Sequence, residues 1–170
     1  WARSTDGTTP SPSTGPQGSD QGGDLGFVYT ETSDPVTSSD HFYMESNDLD
    51  AGTYNLNVSF YWNMNGGNMG TLSLEVSDNG GSSWTPVWSN STANGDVWTN
   101  EVVDLTTAGP GYTSGTIKLR FHGTGRTGYQ SDMAVDTIRV YGDAVVTPNT
   151  PPTLTVNQPD GVGDSVTQGN

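Results

Sequence analysis

Two acidic residues interrupt strand patterns that are otherwise apolar on one face. In Phe27-Val28-Tyr29-Thr30-Glu31, period-2 alternation puts Glu31 on the side of Phe27 and Tyr29. In Ala134-Val135-Asp136-Thr137-Ile138-Arg139-Val140, Asp136 shares a side with Ala134, Ile138 and Val140. A buried, ionised carboxylate without a partner costs on the order of several kcal/mol, so it must be paired, protonated or bound to a metal. Nineteen acids against five Lys and Arg leave few cationic partners and a formal charge of −14. Oxygen ligands of this kind suit calcium. Asp20 and Asp24 bracket Gln21-Gly22-Gly23, a turn able to add further oxygens. The expected site is a structural Ca2+ held by Asp20, Glu31 and Asp136, with Asp24 or Asp132 nearby. The competing reading has Glu31 accepting backbone or tyrosine hydrogen bonds and Asp136 paired with an arginine.

A second group of residues points to ligand binding. Trp62, Trp84, Trp88 and Trp98, with Tyr61, Tyr112 and Tyr129, exceed the aromatic content that a small core requires. Exposed rings stack on sugars, and Trp84 and Trp88, beside turns, are the expected exposed pair. Alternation puts Trp62 in the core, and Trp98 is expected against a sheet edge. Lys118, Arg120, Arg126 and Arg139, with His122, are either one cationic patch for an anionic polysaccharide or a cross-strand ladder with neighbouring acids. The candidate ligand contacts are therefore Trp84, Trp88, Tyr129, Arg120 and Arg126. Catalysis is not expected. Glu75 and Glu101 are candidates for a glycosidase pair, but on expected solvent faces such strand carboxylates are ordinary. Gly123-Thr124-Gly125-Arg126-Thr127-Gly128 fits a dinucleotide-binding pattern, but that pattern requires a following helix, and strand residues follow here.

The elements that must position these groups are strands. Leu56, Val58, Phe60 and Trp62 share a face with Tyr54; Leu72, Leu74 and Val76 repeat the pattern, as do Ile117, Leu119 and Phe121. Asn65-Gly66-Gly67-Asn68 and Asp78-Asn79-Gly80-Gly81 supply the reversals. One buried and one exposed face per strand predicts an all-β fold, a sandwich of two antiparallel sheets. The Pro-, Gly- and Thr-rich stretch from Trp1 to Leu25 is expected to wander over the surface. Residues 1–142 form the predicted domain. From Asp143 onward, with Thr147-Pro148-Asn149-Thr150-Pro151-Pro152, a stiff linker is predicted. Thr153-Leu154-Thr155-Val156 would then begin a following, Ig-like domain.

Composition narrows the partners. A chain this acidic repels nucleic acid, and no apolar run approaches the ~20 residues that cross a bilayer. With no Cys there are no disulfides or thiolate metal sites, and His41 and His122 alone are too few for a His-based zinc site. Little Lys with much Asn, Gly, Ser and Thr suggests a secreted, extracellular bacterial module, a monomer within a multidomain chain.

Several segments, in order, resemble the MAM domain. They are Trp1-Ala2-Arg3 with Gly7-Thr8-Thr9-Pro10-Ser11, Thr14-Gly15-Pro16 and Asp20; Gly26-Phe27-Val28-Tyr29-Thr30-Glu31-Thr32-Ser33; Phe60-Tyr61-Trp62-Asn63-Met64 with Met69-Gly70-Thr71-Leu72; and Met133-Ala134-Val135-Asp136-Thr137-Ile138. The resemblance implies a jelly-roll β-sandwich and a non-catalytic recognition or adhesion module, an accessory to a larger secreted hydrolase, acting on a protein or polysaccharide surface. It also implies a cation tying the early acidic segment to the last strand. Carbohydrate binding and a purely structural spacer are the alternatives. The family's usual cysteines are missing, and Thr137 stands where its second closing Asp is usual.

Overall fold

A computed structural model describes residues 1–18, 20–23, 26–126 and 128–145. Ten strands follow one another: β1 (Ala2–Ser4), β2 (Phe27–Tyr29), β3 (His41–Glu45), β4 (Leu49–Asp50), β5 (Tyr54–Met64), β6 (Leu72–Ser77), β7 (Thr85–Asn90), β8 (Gly95–Asp104), β9 (Thr116–Thr124) and β10 (Ala134–Ala144). One five-stranded sheet runs β1-β2-β10-β5-β8; the other runs β3-β9-β6-β7, with β4 also on β9. Every pairing is antiparallel. This is the predicted all-β sandwich.

The core lies between the sheets, and the period-2 faces build it. Leu56, Val58, Phe60, Trp62 and Met64 of β5 meet Leu72, Leu74 and Val76 of β6 and Ile117, Leu119 and Phe121 of β9. Phe60 anchors the centre, edge-on to Phe121 at 4.9 Å and to Trp88 at 5.1 Å. Such edge-to-face pairs add about 0.5–1.5 kcal/mol each beyond the area they bury. Tyr54, at the start of β5, is 44% exposed despite sharing the apolar register. The β6–β7 reversal uses Gly80 and Gly81 at φ 71° and 94°, a conformation that costs a residue with a Cβ.

Two expectations are corrected. First, Phe27, Tyr29 and Asp136 do not point between the sheets. Val28 and Val135 pair with one another and pack on the inter-sheet core. Phe27, Tyr29 and Ala134 form a second buried cluster with Ala2 and Trp98 on the opposite side of the sheet. Asp136 sits opposite Tyr61, so it shares the outer face with that ring. Alternation placed Phe27, Tyr29, Ala134 and Asp136 on one face, but that face is the outer one, apolar because chain covers it. A register shift after Asp136 puts Val140 opposite Val58 instead, so Ile138 and Val140 do not share the Asp136 face as expected.

Second, the first segment does not wander. β1 is an edge strand on β2, and Thr9, Thr14, Gly15 and Pro16 are buried. Gly15 N–H donates to the Asn65 carbonyl at 2.8 Å, and the Asn65 amide donates back to the Gly15 carbonyl at 3.0 Å. β10 continues through Ala144, and Val145 N–H reaches the Thr53 carbonyl. From residue 146 on, the expected linker and following strand lie outside the described residues.

Candidate functional site

Three stretches of chain meet at Asp132: the Thr9–Gly15 loop, Thr30-Glu31-Thr32 after β2, and Ser131–Met133 before β10. Threonine fits this junction because its hydroxyl can satisfy a buried backbone group where strands end and ladder bonds run out. The Thr30 hydroxyl accepts from Met133 N–H at 3.0 Å while Thr30 N–H donates to the Met133 carbonyl. The Thr14 hydroxyl accepts from Asp132 N–H at 3.0 Å. Both the N–H and the hydroxyl of Thr32 donate to Asp132 Oδ1, at 3.0 and 2.9 Å. Ser131 Oγ accepts from Gly70 N–H, tying in the β5–β6 turn. Thr14, Thr30, Thr32, Ser131 and Asp132 are all fully buried.

Within this satisfied network one atom stands apart. Asp132 Oδ2 is buried and has no hydrogen-bond partner among the described residues. The Thr9 hydroxyl, near the same carboxylate, is committed to the Thr14 carbonyl at 2.6 Å. Burial pushes the Asp132 carboxyl up to about 6; the Thr32 hydrogen bonds and the nearby Thr9 hydroxyl oppose that rise, and the charge of Glu31 adds to it. Glu31 itself is half-buried and accepts from Ser33 N–H at 3.0 Å. An unpartnered, desolvated carboxylate oxygen beside a second carboxylate offers hard oxygen donors of the kind that divalent cations take.

The other expected ligands divide. Asp136 is half-buried; its Oδ2 accepts from Gln21 N–H at 2.8 Å and its Oδ1 from Thr137 N–H at 2.6 Å. It lies four residues along the chain from Asp132, roughly 13 Å of extended backbone, so Glu31 and Asp136 are not brought together. Asp20 is half-buried beside Gln21, at the Asp136 end. Asp24 lies outside the described residues. Among the described residues no three His, Asp or Glu side chains cluster closely enough to hold a metal by themselves. An ion at Asp132 would need hydroxyl or carbonyl oxygens as well.

On the outer face of the second sheet the cations are already occupied. Arg120 Nε donates to Glu75 Oε2 at 2.5 Å, and His122 Nδ1 donates to Glu75 Oε1 at 2.9 Å. His122 Nε2 in turn bonds His41 Nδ1 at 2.8 Å. The Arg120 guanidinium lies between two rings, 4.4 Å from Tyr43 and 4.3 Å from Trp84. Lys118 faces Asp48 at 3.7 Å. This is the cross-strand ladder; the single cationic patch is not formed, since Arg139 sits on the other sheet.

The expected exposed tryptophans are half-buried. Trp84 is capped by Arg120, and Trp88 packs on Phe60 and Trp62 while its indole N–H donates to Glu101 at 2.9 Å. That bond occupies Glu101, and Glu75 is bound to Arg120 and His122. Tyr129 is 47% exposed, and Arg126, also exposed, donates from Nε to the Met69 carbonyl. The structure does not gather Trp84, Trp88, Tyr129, Arg120 and Arg126 into one surface. The buried threonines around Asp132 escaped the sequence reading because Thr is common in turns and strands alike. Their shared signal, Thr-x-Thr two residues apart at 30 and 32, is weak by itself.

Fold and junction together define a β-sandwich module closed at one end by its own N-terminal segment. The family model for the MAM domain (meprin/A5/mu) matches residues 1–144, and the chain belongs to that family. Among solved structures the chain is similar to TmCBM61 in complex with beta-1,4-galactotriose, at 18% identity over 70% of this chain and 72% of that one, with a TM-score of 0.45. Likeness at that level carries no argument about the ligand here. No curated protein matches the chain.

Proposed function

We propose that this domain is a non-catalytic, calcium-stabilised recognition module that holds a larger secreted bacterial protein to a protein or glycan surface. Membership of the MAM family over residues 1–144 supports the recognition role. The calcium part rests on Asp132, whose buried Oδ2 has no partner while Glu31 adds charge beside it. Asp132 and Glu31 would hold the ion, together with hydroxyl or carbonyl oxygens of the N-terminal loop. A bound Ca2+ would supply the positive charge that this end of the sandwich lacks and so lock the loop to the start of β10. Asp136 accepts from Gln21 N–H, next to Asp20 in the chain, and in this reading these two acids serve a separate, structural role.

The test is to probe arrays of glycans and of surface proteins with the labelled domain, once in Ca2+ and once in EDTA. Saturable, calcium-dependent binding without turnover is expected. Uniform absence of binding would contradict recognition and leave the spacer reading.

A further inference from the structure

An open groove of about 940 Å3 crosses the outer face of the first sheet. Ser59 and Tyr61 of β5, Asn100 of β8, and Arg139 and Tyr141 of β10 form its floor, with Gln21 at one end. The ring of Tyr141 is 49% exposed. The Gln21 loop is fixed there by its N–H bond to Asp136.

A local distortion places these side chains. Asp136 pairs with Tyr61 and Arg139 with Ser59, so three steps on β10 match two on β5. The extra residue is a β-bulge, and Thr137 beside it sits at φ 50°, costly for a β-branched side chain. An unbroken strand would keep Ile138 and Val140 on the outer face with Asp136. The bulge reverses the register, turning Ile138 and Val140 toward Val58, Leu119 and Phe121 at an opening between the sheets. Arg139 and Tyr141 take the outer face instead. Strain of this kind, held by surrounding structure, marks functional positions.

Arg139 supplies the groove's positive charge. Lys118 and Arg120 are paired with carboxylates, whereas Arg139 is exposed and has no ion pair among the described residues. Of the five Lys and Arg, Arg3, Arg126 and Arg139 have no ion pair among the described residues, and Arg139 is the one that lines this groove, beside phenol, amide and hydroxyl groups and the exposed Val102. Such a floor matches a sugar, whose ring face stacks on tyrosine and whose edges take amide hydrogen bonds. A guanidinium matches a carboxylate in a planar, two-pronged contact. A net charge of −14 disfavours a polyanion, and a fully neutral chain would leave the guanidinium unused.

We propose that this groove binds an oligosaccharide carrying a single acidic sugar, its carboxylate on Arg139 and its neighbouring rings over Tyr61 and Tyr141. This rests on the recognition reading above and names the ligand class. The probes are a glucuronate-substituted xylo-oligosaccharide and a galacturonate-terminated oligosaccharide, each beside its carboxyl-reduced form, titrated into the domain by calorimetry.

At least one acidic form is expected to bind tenfold or more tightly than its reduced counterpart. Arg139→Gln should erase that difference while leaving the melting temperature unchanged, and Tyr141→Ala should weaken both forms. The proposal is overturned if neither acidic probe binds, if carboxyl reduction makes no difference, or if a short acidic peptide competes equally. Binding to an array partner that survives Arg139→Gln, with no acidic probe bound, overturns the groove and leaves the recognition role standing.

Discussion

Asp132, just before β10, and Glu75, within β6, are both buried carboxylates, and their surroundings treat them in opposite ways. Burial raises the Glu75 carboxyl, but hydrogen bonds and charge from His122 and Arg120 outweigh it and hold the group below its ordinary range. Asp132 receives only neutral donors on one oxygen and nothing on the other, so burial pushes it up to about 6. The second sheet carries its countercharge within the fold. The junction at Asp132 does not, and the proposed cation would supply the countercharge there.

The largest effect should come from breaking the satisfied side. Arg120→Met leaves Glu75 buried with His122 alone and frees the faces of Tyr43 and Trp84. Removing one partner of a buried pair costs about 3 to 5 kcal/mol, readable as a shift in the urea midpoint. A change below about 1 kcal/mol would mean that the pair is solvated in solution.

The next prediction concerns pH in the absence of calcium. Because the folded-state pKa of Asp132 is raised, its contribution is full below the unfolded value near 4 and is lost as pH rises through about 6. The difference amounts to on the order of 3 kcal/mol at 1.36 kcal/mol per pH unit. Glu75 slopes the other way: its lowered pKa gives stability that is present above about 4.5 and lost as pH falls through the folded value. Denaturation in EDTA at a series of pH values should therefore show Asp132→Asn removing the fall between pH 4 and 6. Glu75→Gln should instead flatten the acid limb, and identical profiles for the two variants would erase the contrast.

A smaller effect belongs to the bulge. Thr137→Gly relieves a β-branched residue at positive φ and should raise stability by about 1 kcal/mol in thermal melts. A loss of stability would show that the Thr137 hydrogen bonds to Asp136 matter more than the backbone strain.

Much of the fold was legible in the sequence because burial between sheets imposes a period of two, and β5, β6 and β9 obey it. The MAM resemblance was legible too, since its segments recur in order. What misled was the assumption that an apolar face must point inward. Phe27 and Tyr29 are buried against Ala134 and Trp98 on the outside of the first sheet, a cover that no local pattern announces. The register change at Thr137 was equally silent, because nothing in Asp136-Thr137-Ile138 requires a bulge. In the sequence Asp132 stands out only as an accessory ligand, for it precedes the strand and joins no alternation. Its importance arises from two distant threonine segments that only the folded chain brings to it.

The central claim is that the Asp132 junction takes a divalent cation, and calorimetric melting at pH 7.5 with 10 mM CaCl2 or with EDTA tests it most directly. For calcium at ~100 times its dissociation constant the gain is about 2.7 kcal/mol. In a domain of this size that is roughly 5–10 °C in melting temperature. The account predicts this rise in the parent domain, a smaller one at pH 4.5 where a proton competes for the carboxylate, and none in Asp132→Asn. An equal melting temperature with and without calcium, or a rise that persists in Asp132→Asn, would contradict it.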